Sequence, residues 1–214
     1  MANAAVDNDV ILKGVSYGFL DSLLGALPGA PFNYGILGTA RFVLPKVLKK
    51  RPPNRLDAAK GELEKLLAEF EILEPTAAEA KLASELEYEA QKQDLPVHAG
   101  ECQLVAMLVL RSLHHVLTGD RNAVKAIAVM ALPEPVELHA LDGKFICFEQ
   151  AILYLIGAQG ASRVREAICA EPNVDTAMRL CFSCSSPEIP ENSWLSGIDS
   201  HIADLRAIAG ALLR

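Results

Sequence analysis

Acidic residues at separated positions are the side chains of this sequence best suited to chemistry. Asp7 and Asp9 follow a short apolar run, Asp120 ends another, and Glu101 opens an apolar segment. Two ionised carboxylates about 4 Å apart repel by roughly 4 kcal/mol at an effective dielectric near 20, so such a set needs a cation or a retained proton. Mg²⁺ or Mn²⁺ is the natural occupant, because hard divalent ions take oxygen ligands and keep waters that can attack a phosphodiester.

The segments around these acids alternate strand and helix. The apolar pattern predicts a strand over 4–6 followed by a helix over 11–24. It also predicts an apolar helix over 100–110 that leads into a strand within 113–120. An open parallel sheet places its binding crevice at the carboxyl ends of its strands, where these acids stand. A sheet of this kind would therefore gather carboxylates that are distant in sequence.

Helical patterns account for most of the remaining chain. Thr76 and Glu79 have the spacing of a capping box, and Ile72-Leu73 predicts a brief buried strand. The other predicted helices cover residues 38–50, 56–70, 76–95, 122–132, 145–156, 162–169, 174–182 and 194–213. The expected fold class is α/β, with a short parallel sheet flanked by helices in residues 1–132 and an all-helical C-terminal extension over 133–214.

Composition restricts the class of protein. A chain of 214 residues with 51% hydrophobic residues can bury a substantial core. Its net charge of −7 and pI of 5.3 oppose binding of the whole molecule to nucleic acid or anionic lipid, so any such binding must be local. Without an apolar run of about 18 residues or a secretory signal, we expect a cytoplasmic protein with no membrane partner.

The cysteines predict thiols rather than a disulfide framework. They are odd in number and lie in apolar surroundings, at Cys102, Cys147, Cys169, Cys181 and Cys184. Cys181 and Cys184 form a C-x-x-C pair, but no second Cys or His pair at zinc spacing accompanies it. The sequence therefore favours reduced, buried cysteines that pack in the core.

Two segments resemble PIN-domain proteins, which are metal-dependent nucleases that include bacterial toxins cutting RNA. VDNDVILKGVSYGFLDSLL, residues 6–24, resembles the opening strand and helix of that family. HAGECQLVAMLVLRSLHHVLTGDRNAVKAI, residues 98–127, is similar to its Gly-Glu helix, following strand and Thr-x-Asp-Arg turn. The resemblance covers roughly residues 4–130 and implies a PIN-like three-layer α/β fold over residues 1–132.

The resemblance also implies roles for the acids. Asp7, Glu101 and Asp120 would be the catalytic residues and would hold Mg²⁺ or Mn²⁺, with Asp9 supporting Asp7 at the metal. The residues themselves leave ordinary alternatives open. Asp9 and Asp120 could cap the helices that follow them, and Glu101 could be a first-turn acid favoured by the helix dipole.

One departure from the family pattern weakens the implied site. PIN domains carry a further acid after the first helical hairpin, where this chain reads FVLPKVLKK over residues 42–50. Lys49 or Lys50 stands where that acid is expected, and Glu62 or Glu64 could replace it only in a different register. A site with one carboxylate fewer should bind a cation more weakly.

Residues 41–55 offer a local positive surface. The stretch has no acids and carries the basic residues Arg41, Lys46, Lys49, Lys50, Arg51 and Arg55, the first five of which are candidate nucleic-acid contacts. Local attraction could hold a phosphate backbone there. Alternatively, the stretch is a solvated helix end whose charges complement the dipole. Aromatic residues are not interleaved with the basic ones, so base stacking has no support from the pattern.

Glu149 lies in the apolar run over residues 144–156, where an unpaired buried carboxylate would be costly. We expect it to pair with a base or to turn toward the acidic crevice.

The leading functional hypothesis is a metal-dependent nuclease that hydrolyses phosphodiester bonds of RNA. The competing hypothesis is a catalytically degenerate PIN-like protein that acts as a binding or interaction module. The expected partners are RNA, a protein partner such as an antitoxin, or a second copy of the chain in a homodimer.

Overall fold

The sheet is the element that organises the chain. A computed structural model describes residues 1–134 and 136–214 and contains a five-stranded sheet with the order β3-β2-β1-β4-β5. All neighbouring strands are parallel. The strands are β1 (Ala4–Val6), β2 (Tyr34–Leu37), β3 (Glu71–Leu73), β4 (Val116–Thr118) and β5 (Phe145–Cys147). The α/β fold class predicted from the sequence is confirmed.

The central strands are buried on both faces. Every residue of β1, β4 and β5 is buried, as expected for a parallel sheet whose two faces are covered by helices. In the register, Ala5 of β1 pairs with Gly35 on one side and Val116 on the other. A side chain at Gly35 would meet Leu73 of β3 at 2.6 Å, so the sheet requires glycine at that position.

Helices surround the sheet and carry most of the remaining described residues. They are α1 (Asn8–Tyr17), α2 (Leu20–Gly25), α3 (Ala40–Lys50), α4 (Leu56–Glu69), α5 (Ala77–Lys92), α6 (Ala99–Leu110), α7 (Arg121–Val129), α8 (Phe148–Gln159), α9 (Ala161–Ala170), α10 (Thr176–Cys181) and α11 (Glu191–Ala209). The predicted capping box begins α5, where the backbone N–H of Thr76 donates to Glu79 Oε2 at 2.7 Å. In the described ranges, no helix has both the length and the apolar character needed to cross a membrane.

Two expectations about the elements were wrong, and one strand was missed. The predicted helix over 11–24 is two helices, because the chain turns at Gly18, whose φ of 77° lies in the left-handed region that glycine adopts readily. The strand β2 was not predicted. The C-terminal section is not all-helical, because residues 145–147 form β5 and pair with β4 in the same sheet. A short apolar run such as Phe-Ile-Cys cannot be assigned to strand or helix by periodicity alone.

The cysteine prediction is also corrected. Cys169, in the last turn of α9, forms a disulfide with Cys184, which lies after α10. The turn between the two helices brings their Cα atoms to 5.1 Å, a separation that the sequence does not reveal. Cys102, Cys147 and Cys181 are buried free thiols, as expected, and the C-x-x-C pair is not bonded internally.

The disulfide should stabilise the C-terminal section. Closing a loop across a sequence separation of 15 residues is worth about 3 kcal/mol in the chain-entropy model. We expect Cys169→Ser to lower the free energy of unfolding by about that amount in urea titrations without reductant. Dithiothreitol should lower the stability of the wild type and leave the variant unchanged. Titration of five thiols in denatured, unreduced wild-type protein would contradict the assignment.

Candidate functional site

The strand order reverses between β1 and β4. From β1, the next two strands β2 and β3 are added on one side of β1. The last two strands, β4 and β5, are added on its other side. Ligands of open α/β sheets bind outside the carboxyl ends of the strands at such a switch point. Asp7 directly follows β1, and Asp120 lies two residues beyond β4. The sheet therefore places two acids from remote parts of the chain at the position where open α/β sheets bind their ligands.

A cleft of about 560 Å³ opens at this point. The acids Asp7, Asp9, Glu101 and Asp120 all line it, as the sequence predicted, together with Arg121. The arrangement concentrates negative charge in one place. How that charge is compensated determines what the cleft can bind.

Asp7 carries the clearest sign of this concentration. Its Oδ1 accepts a hydrogen bond from the backbone N–H of Asn8 at 2.7 Å, and its Oδ2 accepts one from Thr118 Oγ1 at 3.2 Å. Partial burial, followed by the nearby carboxylates of Glu101 and Asp9, raises the pKa of Asp7 to about 6, although both hydrogen bonds act in the opposite direction. Negative charge at this position is therefore incompletely balanced by the protein.

Glu101 and Asp120 each cap a helix. Glu101 Oε2 accepts from the backbone N–H of His98 at 3.0 Å at the start of α6, and Asp120 Oδ1 accepts from that of Ala123 at 2.9 Å at the start of α7. The capping alternative for Asp120 is confirmed, and Glu101 lies in the first turn of α6, as its own alternative predicted. Within the described part of the chain, the second carboxylate oxygen of each has no hydrogen-bond partner, so one oxygen of each acid is available to a ligand.

Asp9 has a different role from the one expected. Asp7, not Asp9, is the N-cap of α1. The carboxylate of Asp9 lies 2.7 Å from Lys13 Nζ, which also contacts Asp175 at 2.6 Å. Burial lowers the pKa of Lys13, but the two carboxylates outweigh it and hold the pKa above its usual value. Lys13 therefore stays charged and neutralises Asp9.

The position of the Asp9 side chain depends on a glycine in the turn after β4. A Cβ at position 119 would stand 2.0 Å from Asp9 Oδ2, so Gly119 leaves the space that the carboxylate occupies. Sequence reasoning did not find the bridge from Asp9 through Lys13 to Asp175. The four-residue spacing of Asp9 and Lys13 is a detectable helical pair, but nothing local points to Asp175.

Arg121 brings a positive charge to the cleft wall. Its Nε lies 3.2 Å from Glu149 Oε1, and its Nη1 contacts Nδ1 of His201. This ion pair satisfies the expectation that the buried Glu149 would pair with a base. The other oxygen of Glu149 is buried and has no hydrogen-bond partner among the described residues. The pair fixes Arg121 beside the acids, a position that the sequence did not indicate.

The predicted nucleic-acid contacts lie on α3 or, for Arg51, at its C-cap, and none of them lines the acidic cleft. Arg41 pairs with Glu74 at 3.3 Å, and Lys49 and Lys50 are exposed in the last turn of the helix. As far as the structure describes the chain, neither lysine lines the cleft, which receives only Leu37 and Thr39 from this part of the chain. Glu62 does not replace the missing acid, because it pairs with Arg55 at 2.6 Å.

The fit of the site to a metal ion is partial. Among residues 1–134 and 136–214, no group of three or more His, Cys, Asp or Glu side chains is close enough to hold a metal ion. Mg²⁺, however, is commonly bound by one or two carboxylates and keeps several waters. Asp7, Glu101 and Asp120 offer hard oxygen atoms and unbalanced negative charge. This donor set fits a largely hydrated ion rather than a fully enclosed one.

Comparison of the chain with protein-family models, with curated proteins and with solved structures gave no match. The resemblance to PIN domains therefore depends on the two quoted segments alone and stays a prediction. The cleft is interpreted below from its own geometry.

The raised pKa of Asp7 predicts a pH dependence of stability. Because folding favours the protonated carboxyl, the wild type should lose stability relative to Asp7→Asn as the pH rises from 3.8 through about 6. The expected loss is on the order of 1 to 2 kcal/mol, since the group is partly solvated. Urea unfolding between about pH 4 and about pH 8 in EDTA measures it.

Asp57→Asn provides the control for this prediction, because the side chain of Asp57 is 98% exposed. This variant should follow the wild type across the whole pH range. A constant difference between the wild type and Asp7→Asn would show that Asp7 titrates normally.

Proposed function

We propose that this protein is a metal-dependent nuclease that hydrolyses phosphodiester bonds of RNA in the cleft between β1 and β4. The observation that supports the proposal is the meeting of Asp7, Glu101 and Asp120, from three separate parts of the chain, at the switch point of a parallel sheet. Helix caps alone do not require three acids to share one cleft. A cation site, by contrast, needs carboxylates that share one cleft.

Each acid would contribute differently to the site. Asp7 has the least compensated charge, since its pKa is raised to about 6, and would gain most from a cation. Glu101 and Asp120 would each present the oxygen that is not used in capping. When bound, Mg²⁺ or Mn²⁺ would polarise a phosphoryl oxygen and lower the pKa of a water molecule. The backbone and Thr118 hydrogen bonds hold the carboxylates in fixed orientations.

Arg121 would complement the substrate rather than the metal. Glu149 and His201 hold its guanidinium at the wall of the cleft, so little reorganisation is needed when a phosphate arrives. A guanidinium suits this role because its planar donors match phosphate oxygens.

The basic residues of α3 would carry the RNA strand. Thr39, the N-cap of α3, lines the acidic cleft, and the helix leads away from it. Arg41, Lys46, Lys49 and Lys50 follow along this helix, and Arg51 is its C-cap. Such residues can attract a phosphate backbone at short range although the whole chain has a net charge of −7.

A second candidate function is a catalytically degenerate PIN-like protein that acts as an interaction module. The Lys13 bridge favours it, because Lys13 neutralises Asp9 in place of a metal ion. The missing three-ligand group among the described residues favours it as well. Its partner would be a protein such as an antitoxin or a second copy of the chain.

Metal binding separates the two candidates. If the cleft binds Mn²⁺, metal at about ten times its Kd should stabilise the wild type by about 1.4 kcal/mol, which raises Tm by roughly 3 to 6 °C. Asp120→Asn should lose this gain while the protein stays folded, because Asn caps a helix about as well as Asp. Differential scanning fluorimetry with and without Mn²⁺ measures the shift, with Asp57→Asn as the matched control.

Cleavage of labelled RNA by the same preparations completes the test. Mn²⁺-dependent cleavage by the wild type and by Asp57→Asn, but not by Asp120→Asn, would support the nuclease. A wild type that shows no thermal shift and no cleavage would contradict it and favour the interaction module. Cleavage that survives both EDTA and Asp120→Asn would place the activity outside this cleft.

A further inference from the structure

We infer that α3 binds unpaired RNA by stacking a base on Phe42 while Lys46, Lys49 and Lys50 contact the neighbouring phosphates. These four residues are called the α3 face below. The inference deepens the proposed function by specifying single-stranded RNA as the substrate form, and it relies on that function only for the fate of the bound strand. Binding to the α3 face requires neither metal nor catalysis.

Phe42 corrects the expectation that no aromatic residue is interleaved with the basic residues of 41–55, because it lies between Arg41 and Lys46. Its side chain is exposed where folding alone gives no reason for a large apolar group. It is 65% exposed, and the adjacent Val43 is 40% exposed. The buried side of the helix is formed by Ala40, Leu44 and Leu48. With 3.6 residues per turn, Phe42, Lys46 and Lys49 lie in line on the opposite side. One solvent-facing surface thus combines an aromatic ring with ammonium groups.

The lysines of the α3 face have no compensating charge. None of the three has an acidic partner among the described residues. Other lysines on exposed helices do have one, namely Lys60 with Asp57, Lys65 with Asp21, Lys81 with Glu85, Lys92 with Glu89 and Lys125 with Asp204. The helix dipole accounts for Lys49 and Lys50 in the last turn but not for Lys46. Uncompensated positive charge on an acidic protein is complementary to a polyanion.

The geometry favours a strand over a compact anion. The α3 face begins one turn beyond Thr39, which lines the acidic cleft, and the 11-residue helix extends about 16 Å from it. The guanidinium of Arg41 lies 5.9 Å from the centroid of the Phe42 ring and supports it from one side. A chain of phosphates along α3 would therefore lead to the cleft.

Phe42 makes the surface selective for unpaired bases. Stacking on an aromatic side chain needs a free base face, which a duplex offers only at its ends. Positive grooves that carry stacking aromatics are characteristic of proteins that bind single strands without strong sequence preference. A duplex could contact the same lysines, but it has no free base face within its length to stack on the Phe42 ring. Single-stranded RNA is therefore the occupant that uses every feature of the α3 face.

Fluorescence anisotropy in EDTA tests the inference with the whole 214-residue chain. The probes are a labelled uridine oligonucleotide of about 12 nucleotides and the duplex that it forms with an adenosine oligonucleotide of the same length. The single strand should bind more tightly than the duplex. Phe42→Ala should weaken single-strand binding roughly tenfold. The combined variant Lys46→Gln, Lys49→Gln and Lys50→Gln should reduce the slope of log K against log salt by about 2.

Two control variants separate stacking from general effects. Phe42→Trp should retain the affinity, because tryptophan also stacks. Tyr88→Ala removes an aromatic side chain of matching exposure, 64%, from the acidic helix α5 and should bind like the wild type. Equal affinities of Phe42→Ala and the wild type, or equal binding of strand and duplex, would overturn the inference. Self-association that Phe42→Ala abolishes, without RNA binding, would instead identify the face as a dimer contact and overturn it too.

The outcome is distinguishable from that of the proposed function. Single-strand binding that depends on Phe42 in EDTA, with no cleavage after Mn²⁺ is added, would support the α3 face and contradict the nuclease. Cleavage with binding indifferent to Phe42 would support the nuclease and overturn the α3 face.

Discussion

The parallel pairing of β1 with β4 is the constraint from which the site follows. Ala5 and Val116 lie side by side in the sheet, more than half the chain apart in sequence. Because the strands run the same way, the residues that leave their carboxyl ends must meet at one edge. Asp7 and Asp120 are those residues, and α6 adds Glu101. The topology of the sheet thus creates the concentration of negative charge in the cleft.

The structure compensates this charge in several ways. Backbone N–H groups at the starts of α1, α6 and α7 hydrogen-bond the carboxylates of Asp7, Glu101 and Asp120. Lys13 neutralises Asp9, yet the raised pKa of Asp7 shows that the compensation is incomplete. A divalent cation would supply what these contacts do not. The nuclease and the interaction module differ on this one point.

The C-terminal section contributes a strand of the sheet and the partners of two basic side chains near the cleft. It contributes β5 to the sheet, Asp175 to the Lys13 bridge, and Glu149 and His201 to Arg121. The buried carboxylate of Glu171 also accepts hydrogen bonds from the backbone N–H groups of Asn54 at 2.7 Å and Arg55 at 2.9 Å, just before α4. Arg121 at the cleft wall and Lys13 beside Asp9 thus both pair with acids from the last third of the chain.

What could be predicted from the sequence was whatever has a local signal. The strand before Asp7, the capping box at Thr76 and the convergence of acids at strand ends all follow from periodicity and residue type. The helix end at Gly18 also has a local signal, because glycine readily adopts the left-handed C-cap conformation, but the apolar spacing continues past it. The pairing of β5 and the Cys169–Cys184 disulfide depend on how distant segments pack, which leaves no local pattern. The same holds for Asp175 and Glu149, whose partners are known only once the sheet is assembled.

The most direct test of the central claim is anomalous X-ray diffraction from crystals soaked in Mn²⁺. The account predicts an anomalous peak at the switch point, within about 2.5 Å of a carboxylate oxygen of Asp7 and of one from Glu101 or Asp120. A map without a peak there at saturating Mn²⁺, with the Lys13 and Arg121 ion pairs intact, would contradict it.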